Sequence, residues 1–344
     1  MHTFTATALK LPRPYLVQWM DDQNKNVLLN GHQISIEQYF SGIRERAQQL
    51  QNLVEKQVLF GIDVGNVETV LEQLLLKAAD SSRIPILLVD SDRKGNPQSR
   101  TFLVQLKQQG HLFDATTGLF DPTKTKPWLD LVLHTMQDLH SLVHVTQGLP
   151  GRGTEDHALN LSDILYNPDE QAIGIAPQVR KTEDSKSIFR QLSRLVSRLL
   201  FIMLRIIRPV ELLAVVGCKI VPDTAQSQVM EMYQTKVWVV GGREMTSKMF
   251  SKDLAAWSRQ GPNLPGLDFD MGLKLYRHFA VALDRKLLGG LMSDPFFDIG
   301  DYQAGRVKTT SHRSYAVQKG WHPTEGWKLQ IQKSEDWRKM LGLS

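Results

Sequence analysis

Apolar residues recur at helical spacing in the first third of the chain, as Ile36, Tyr39, Phe40 and Ile43 and again as Val67, Val70, Leu71, Leu74 and Leu75. The stretch from Ile34 to Lys77 is therefore predicted to be mainly helical. Asp121-Pro122-Thr123-Lys124-Thr125-Lys126-Pro127 interrupts the pattern with prolines and small polar residues. It marks a candidate boundary between a domain of residues 1–120 and one of residues 125–344. A helix is expected to follow from about Trp128 to Val145, with Leu131, Leu139 and Leu142 inward, ending at Gly148 and Pro150. Another helix is expected beyond Arg152, with Asn160–Ile164 leading out of it. Leu165–Tyr166 and Ala172–Val179 read as an extended pair around the turn Asn167-Pro168-Asp169-Glu170. An apolar helix is predicted over Ile188–Ile207, stopping near Pro209, and a strand and turn over Thr235–Gly242. The remainder reads as helix, with loops at 261–266 and 294–301. The expected fold class is thus mainly α with a small β-hairpin or sheet, an α+β arrangement.

Bulk composition narrows this picture without changing it. With 344 residues, 42% apolar and 22% charged, the chain can bury a substantial core and carries no low-complexity tract or repeat. One cysteine, Cys218, excludes an internal disulfide framework and fits a reducing compartment. Met-His-Thr-Phe-Thr-Ala-Thr lacks the basic start and apolar run of a secretory signal, so secretion is not expected. The longest apolar stretch, Leu199–Val216, contains Arg205, Arg208, Pro209 and Glu211, charges that a bilayer centre would make costly. It reads as a buried helix, and no membrane partner is expected. The formal charge is +5, and it is unevenly placed: residues 1–150 hold 14 Lys and Arg against 15 Asp and Glu, leaving 27 against 21 for the rest. That asymmetry fits a polyanion bound by the second part, and equally a solvated basic surface.

The candidate chemistry lies in basic residues spread along that second part and closing on one tyrosine. They are Arg152 in Gly151-Arg152-Gly153-Thr154-Glu155, Lys181, Lys274 with Arg277, Arg306, and then Tyr315. A phosphodiester resists attack because its oxygens are already negative and the pentavalent transition state is more so. Guanidinium groups such as Arg152 and Arg277 answer this with paired, permanently charged hydrogen bonds. The tyrosine hydroxyl titrates near pKa ~10 in isolation, and neighbouring cations favour its ionised form. Tyr315 is the candidate nucleophile, and Lys181, expected on or just after a β-hairpin, the general acid for the leaving 5′ oxygen. Each residue has a plainer reading. Arg152 could pair with Glu155, Lys274 and Arg277 could form a solvated helix face, and Tyr315 could simply pack. Tyr276 reads as core, and Tyr302 is a rival nucleophile by position.

In order and spacing these residues resemble the tyrosine recombinases, the integrase and Xer type. Arg152-Gly153-Thr154-Glu155 followed by Leu161-Ser162-Asp163-Ile164 is similar to the family's first-arginine motif. Lys274-Leu275-Tyr276-Arg277-His278-Phe279-Ala280 is similar to its second box, and Gln303-Ala304-Gly305-Arg306 with Tyr315-Ala316 to its last. Leu149–Glu155, Ile188-Phe189-Arg190, Ile207-Arg208-Pro209 and Ser334-Glu335-Asp336-Trp337 resemble fungal recombinase-like domains of crypton-type elements and of telomere-linked proteins with RecQ-type helicases. The resemblance implies a recombinase-like catalytic domain over residues 125–344, preceded by a helical core-binding domain. It also implies a double-stranded DNA partner, a nuclear location and a homo-oligomer on DNA through the C-terminal tail. By the same resemblance Arg152, Arg277 and Arg306 would hold the phosphate, Lys181 would protonate the leaving oxygen, Lys274 would assist, and Tyr315 would form a 3′-phosphotyrosyl link. No metal or nucleotide cofactor is implied. Arg306 departs from the pattern, where histidine is expected. Arginine still donates to phosphate but cannot exchange a proton near neutral pH, which opens a second reading: a DNA-binding relic that cuts poorly or not at all.

Other motifs point elsewhere. Gly61-Ile62-Asp63-Val64-Gly65-Asn66 resembles a phosphate loop of actin-like ATPases or the opening strand of ribonuclease-H-like nucleases. Asp90, in Ile86–Asp92, would then supply a second carboxylate to a metal. A flanking helix is the plainer expectation. Gly148–Gly153 lacks the Gly-Lys-Ser/Thr ending of a P-loop, and no helicase motor is readable in the chain. His140 and His144 stand four apart, with His134 upstream, a partial zinc set whose plainer reading is core or surface histidine. Trp321, Trp327 and Trp337 punctuate a basic tail, where they could stack on bases or anchor a tail helix on this or a neighbouring subunit.

Overall fold

A three-stranded meander opens the ordered description of the chain. The computed structural model describes residues 17–65, 97–151, 153–167, 172–179, 186–259, 267, 269–288 and 323–343. Val17–Trp19 (β1), Asn26–Leu29 (β2) and His32–Ser35 (β3) pair antiparallel in that order. Asn30 and Gly31 join β2 to β3 with φ of 53° and 93°. A two-residue hairpin turn needs positive φ at both positions, which Asn and Gly tolerate. Ile34, expected in a helix, instead faces Val27 across the sheet, and both side chains are buried. Helix α1 (Ile36–Leu53) starts just after, where the Ser35 hydroxyl accepts from the Gln38 amide. One wider turn, Val54–Val58, extends α1, and the Gly61–Gly65 segment that follows is loop, not helix.

The long helix α3 is where expectation and structure part first. After α2 (Pro97–Gln108), the loop to residue 121 is pinned by the stacked rings of Phe113 and Phe120. Helix α3 then runs over Pro122–Thr146, so the Asp121–Pro127 segment begins a helix where a break was expected. Asp121 caps it by accepting from the Thr123 amide at 2.9 Å, and Pro122 sits in the first turn, where no N–H is needed. Leu139 and Leu142 are buried as expected and Leu131 is partly buried. Trp128 donates from Nε1 to the Val58 carbonyl at 3.0 Å, tying α3 to α1. Buried side chains from Val27 to Leu341, on both sides of residues 121–125, belong to one hydrophobic cluster.

Short strands and helices then alternate. Helix α4 (Gly153–His157) leads through a tight turn at Leu161–Asp163 into β4 (Ile164–Asn167), which pairs antiparallel with β5 (Ala172–Ile175) as expected. β6 (Gln178–Val179) pairs with β7 (Lys186–Ser187), and β8 (Arg190–Gln191) completes a sheet of order β4-β5-β8. The helix expected from Ile188 therefore begins later, as α5 (Arg194–Phe201), because Gln191 and Arg190 are taken by β5 and the Ser193 hydroxyl caps the helix at the Val196 amide. It does not stop at Pro209 either. A wide turn over Ile202–Ile207 passes directly into α6 (Arg208–Gly217), and Pro209 falls in the first turn of α6, where its missing N–H costs little.

Helix α7 (Gln226–Thr235), the hairpin of β9 (Val239–Val240) and β10 (Arg243–Glu244), and helices α8 (Ser247–Arg259), α9 (Leu273–Leu287) and α10 (Pro323–Leu341) follow. Buried polar groups fix the hairpin. Glu211 accepts from the Tyr233 hydroxyl at 2.6 Å and from the Gly241 amide at 2.7 Å, while Arg208 donates to the carbonyls of Lys236 and Val237. Burial raises the Glu211 carboxyl above its ordinary range and lowers the Arg208 guanidinium to about 10. The fold is mainly helical with small antiparallel sheets. Among the described residues no helix is long and apolar enough to cross a membrane.

Helix α10 packs on its own chain, against β8, α1 and α3. Three of its side chains, four residues apart, meet the backbone at β8. Gln330 accepts from the Phe189 amide, Ser334 accepts from the Gln191 amide at 3.2 Å, and Arg338 donates to the Gln191 carbonyl at 2.8 Å. A helix thereby satisfies backbone groups that a further strand would otherwise meet. Trp337 and Ser334 also donate to the Val145 and Gln147 carbonyls at the end of α3. Lys333 forms a buried ion pair with Asp284 of α9.

Candidate nucleic-acid interface

Of the six candidate catalytic residues, Lys274 and Arg277 are described, both on α9. Arg152, Lys181, Arg306 and Tyr315 lie outside the described residues, as do Tyr302 and Asp90. Lys181 belongs to the segment 180–185 that joins the paired strands β6 and β7. Lys274 is exposed and Arg277 half-buried, one turn apart. Tyr276 between them is core, as expected: it is 1% exposed, its hydroxyl donates to the Val145 carbonyl at 3.0 Å, and burial pushes its pKa well above that of an ordinary phenol. A sealed, hydrogen-bonded phenol of this kind cannot act as a nucleophile.

That same hydroxyl links two helices. By bonding to Val145 it fastens α9 to the last turn of α3, from which the chain runs on through Leu149 and Gly151 to the position of Arg152. Helix α8 packs against α3, α4 and α9. Its buried face is Phe250, Leu254 and Trp257, and it turns Lys248, Lys252 and Arg259 to solvent. These recur at helical spacing on one stripe, with successive turns about 5.4 Å apart along the axis. Arg259 shares its charge with Asp270 at 2.8 Å, both groups being exposed. Two neighbouring helices thus carry exposed lysine, and α8 also exposed arginine, while their inner faces are mainly apolar.

Beneath Gly151 lies a group of buried ionisable side chains that the sequence did not reveal. His144 near the end of α3 and Asp156 of α4 are in contact, Nδ1 to Oδ2 at 2.6 Å, with side-chain exposures of 1% and 6%. Arg190 of β8 is fully buried and donates from Nε to the Leu149 carbonyl at 3.0 Å. A Cβ on Gly151 would stand 3.0 Å from Arg190 Nη2, 3.0 Å from Glu155 Oε2 and 3.1 Å from Asp156 Oδ1, so only glycine fits there without displacing a charged tip. Burial alone would raise the Asp156 carboxyl. The charge and hydrogen bond of His144, with the charge of Arg190, outweigh it and hold the group below the ordinary carboxylate range. Burial also lowers the Arg190 guanidinium, against the opposing charges of Asp156 and Glu155.

The histidines do not gather as a partial metal set. His134 is exposed and bonds Gln137, His140 stacks on Phe250 with ring centroids 3.5 Å apart, and His144 is engaged by Asp156. Among the described residues no three His, Cys, Asp or Glu side chains meet as a metal site. Asp63 is exposed on the loop after α1, where its carboxylate accepts from the Gly65 amide at 2.8 Å. Trp337, at 1% exposure, anchors α10 rather than stacking outward. The chain matches no protein-family model, no curated protein and no solved structure.

Proposed function

We propose that the protein binds double-stranded DNA as a tyrosine recombinase-like domain. The observation that carries this reading is the Tyr276 hydroxyl on Val145, which sets the cationic α9 beside the stretch leading to Arg152. Exposed Lys248 and Lys252 on the adjoining α8 extend the positive surface. In this reading Arg152, Arg277 and Arg306 hold one phosphate, and Tyr315 attacks phosphorus as its phenolate, favoured by the neighbouring cations, its proton having passed to solvent. The 5′ oxygen leaves with a proton from Lys181 while Lys274 assists, giving a 3′-phosphotyrosyl link whose reversal by a 5′-hydroxyl rejoins the strand. The reaction conserves the bond energy and calls for no cofactor. The protein would work in the nucleus, as a homo-oligomer on DNA, with α10 making in a neighbouring copy the contacts it makes here in its own chain.

A nicked duplex that traps the intermediate tests the chemistry. Denaturing gels should show a protein–DNA adduct that Tyr315→Phe abolishes. The second reading, a non-catalytic DNA-binding relic, is favoured by one specific residue, Arg306, which cannot move a proton near neutral pH. It gives salt-sensitive duplex binding with no adduct in either protein. Absence of duplex binding at low salt would sink both.

A further inference from the structure

Where α3 packs on α8 lies a polar cluster that the chemistry just described does not use. His134, Gln137 and Asp138 fall on one face of α3 at helical spacing, and Asp253 of α8 meets them through Gln137. We infer that this junction is a pH-responsive element: acidification makes it more positive beside the cationic stripe of α8 and so tightens binding to duplex DNA, an inference that rests on the DNA-binding reading above.

The groups are joined in series. His134 Nδ1 stands 3.1 Å from Gln137 Oε1, and Gln137 Nε2 donates to Asp253 Oδ1 at 3.2 Å. An amide has one accepting and one donating end, so a proton on His134 Nδ1 completes a chain that runs one way, from imidazole to carboxylate. Asp253 Oδ2 is shut from water and has no hydrogen-bond donor among the described residues. Asp138 and Asp253 are both half-buried. Burial raises the Asp253 carboxyl and the charge of Asp138 adds to it, against the Gln137 bond and the charges of His134 and Lys252. Burial raises Asp138 too, against the charges of Arg46 of α1 and of His134. Lysine and arginine hold their charge over the range in which an exposed imidazole and raised carboxyls change theirs. The change therefore has one sign. As pH falls the imidazole gains a positive charge and the two carboxylates lose negative ones. Lys252 adjoins Asp253 in sequence and Lys248 lies one turn before Lys252, both exposed, so the negative charge that offsets these lysines is withdrawn. Phosphates docked on α8 lie within a Debye length, about 8–10 Å, of such a change and respond to it.

A pH series on the full chain tests this. Affinity for a labelled duplex DNA is measured by fluorescence anisotropy from about pH 8 to about pH 5.5 at constant ionic strength, with thermal melts recorded alongside. Phosphodiesters stay ionised throughout, so any change belongs to the protein. The unaltered protein is expected to bind about fivefold more tightly at the acid end, the effect of one unit charge acting through water near contact. The triple variant His134→Gln, Asp138→Asn, Asp253→Asn should give a flat profile, and at the alkaline end it should bind more tightly than the unaltered protein, because two negative charges are gone. A merely structural role would show the opposite, since a loosened junction weakens binding. A response as large in the triple variant as in the unaltered protein, or none in an unaltered protein that does bind duplex, overturns the inference and leaves the DNA-binding reading standing. If the unaltered protein binds no duplex at low salt at any pH, that reading fails and the inference falls with it. Should the triple variant fail to fold, His134→Gln, at an exposed position, is carried alone through the same series. A smaller rise than in the unaltered protein then upholds the inference, and an undiminished rise overturns it.

Discussion

His140 is buried without an acidic partner in hydrogen-bond contact, flat against Phe250 and edge-on to Trp238 at 4.8 Å. Burial, aided by the charge of His144, lowers its pKa from 6.5 to about 3. The sign follows from comparing the two states. Above pH ~6.5 neither the folded nor the unfolded imidazole carries a proton, so nothing is lost. As pH falls from there towards about 3, the unfolded chain takes up the proton and the folded one does not, and stability drops by up to about 1.4 kcal/mol per pH unit. Urea unfolding at stepped pH should show this loss, and His140→Leu should flatten the slope over that window. Asp156 acts lower down: its depressed pKa contributes stability that is fully present above the unfolded carboxylate value and is lost as pH falls through the folded one. An unchanged slope in His140→Leu would mean that the acid response originates elsewhere.

At the scale of elements, the attachment of α10 concentrates much of the fold's polar specificity. Lys333→Met is expected to cost about 3–5 kcal/mol in denaturant unfolding, because it breaks the buried ion pair with Asp284 from one side only. Adding Asp284→Leu should recover most of that loss, since an apolar pair removes both buried charges. Equal destabilisation in the single and double variants would show that packing, not the ion pair, holds the helix. Several of these elements were legible in the sequence. The β4–β5 pair, the end of α3 just before Gly148 and the buried Tyr276 are where spacing and turn residues placed them. Others carried signals that were outweighed. Asn30-Gly31 is a strong hairpin turn, Ser193 is a helix cap, and Asp121-Pro122 is a cap followed by a first-turn proline. A run of apolar residues over Ile188–Ile207 hid the Ser193 cap, and the density of prolines at 121–127 hid the cap at Asp121. Pro209 misled for a different reason: the wide turn before it relocates the missing amide to a helix start.

For the whole molecule, the arrangement of charge outweighs its total. A net +5 predicts little, but Lys274 and Arg277 on α9 beside Lys248 and Lys252 on α8 put cations on two packed helices. Each of Lys274→Ala and Arg277→Ala should reduce the slope of log affinity against log salt by about one, whereas substitution of the exposed Glu37 of α1, Glu37→Ala, should leave it unchanged. Slopes that do not respond to either substitution would remove α9 from the interface. The sequence could offer Lys274 and Arg277 as candidates because order and spacing survive in one dimension, but it did not single out Lys248 and Lys252. It could not offer His144, Asp156 and Arg190 as one group, because they lie on three elements and become neighbours only once α3, α4 and β8 pack.

The grip of α10 has a further consequence, one concerned with time. Arg44 of α1 donates to the Leu341 carbonyl, 297 residues downstream. At about 5–20 residues per second a ribosome needs roughly 15–60 s to deliver that distant partner. Throughout that interval the emerging polypeptide holds apolar surface that nothing yet covers. Its yield in a cell should accordingly depend on chaperones that shield the nascent chain, far more than a protein built from local contacts would.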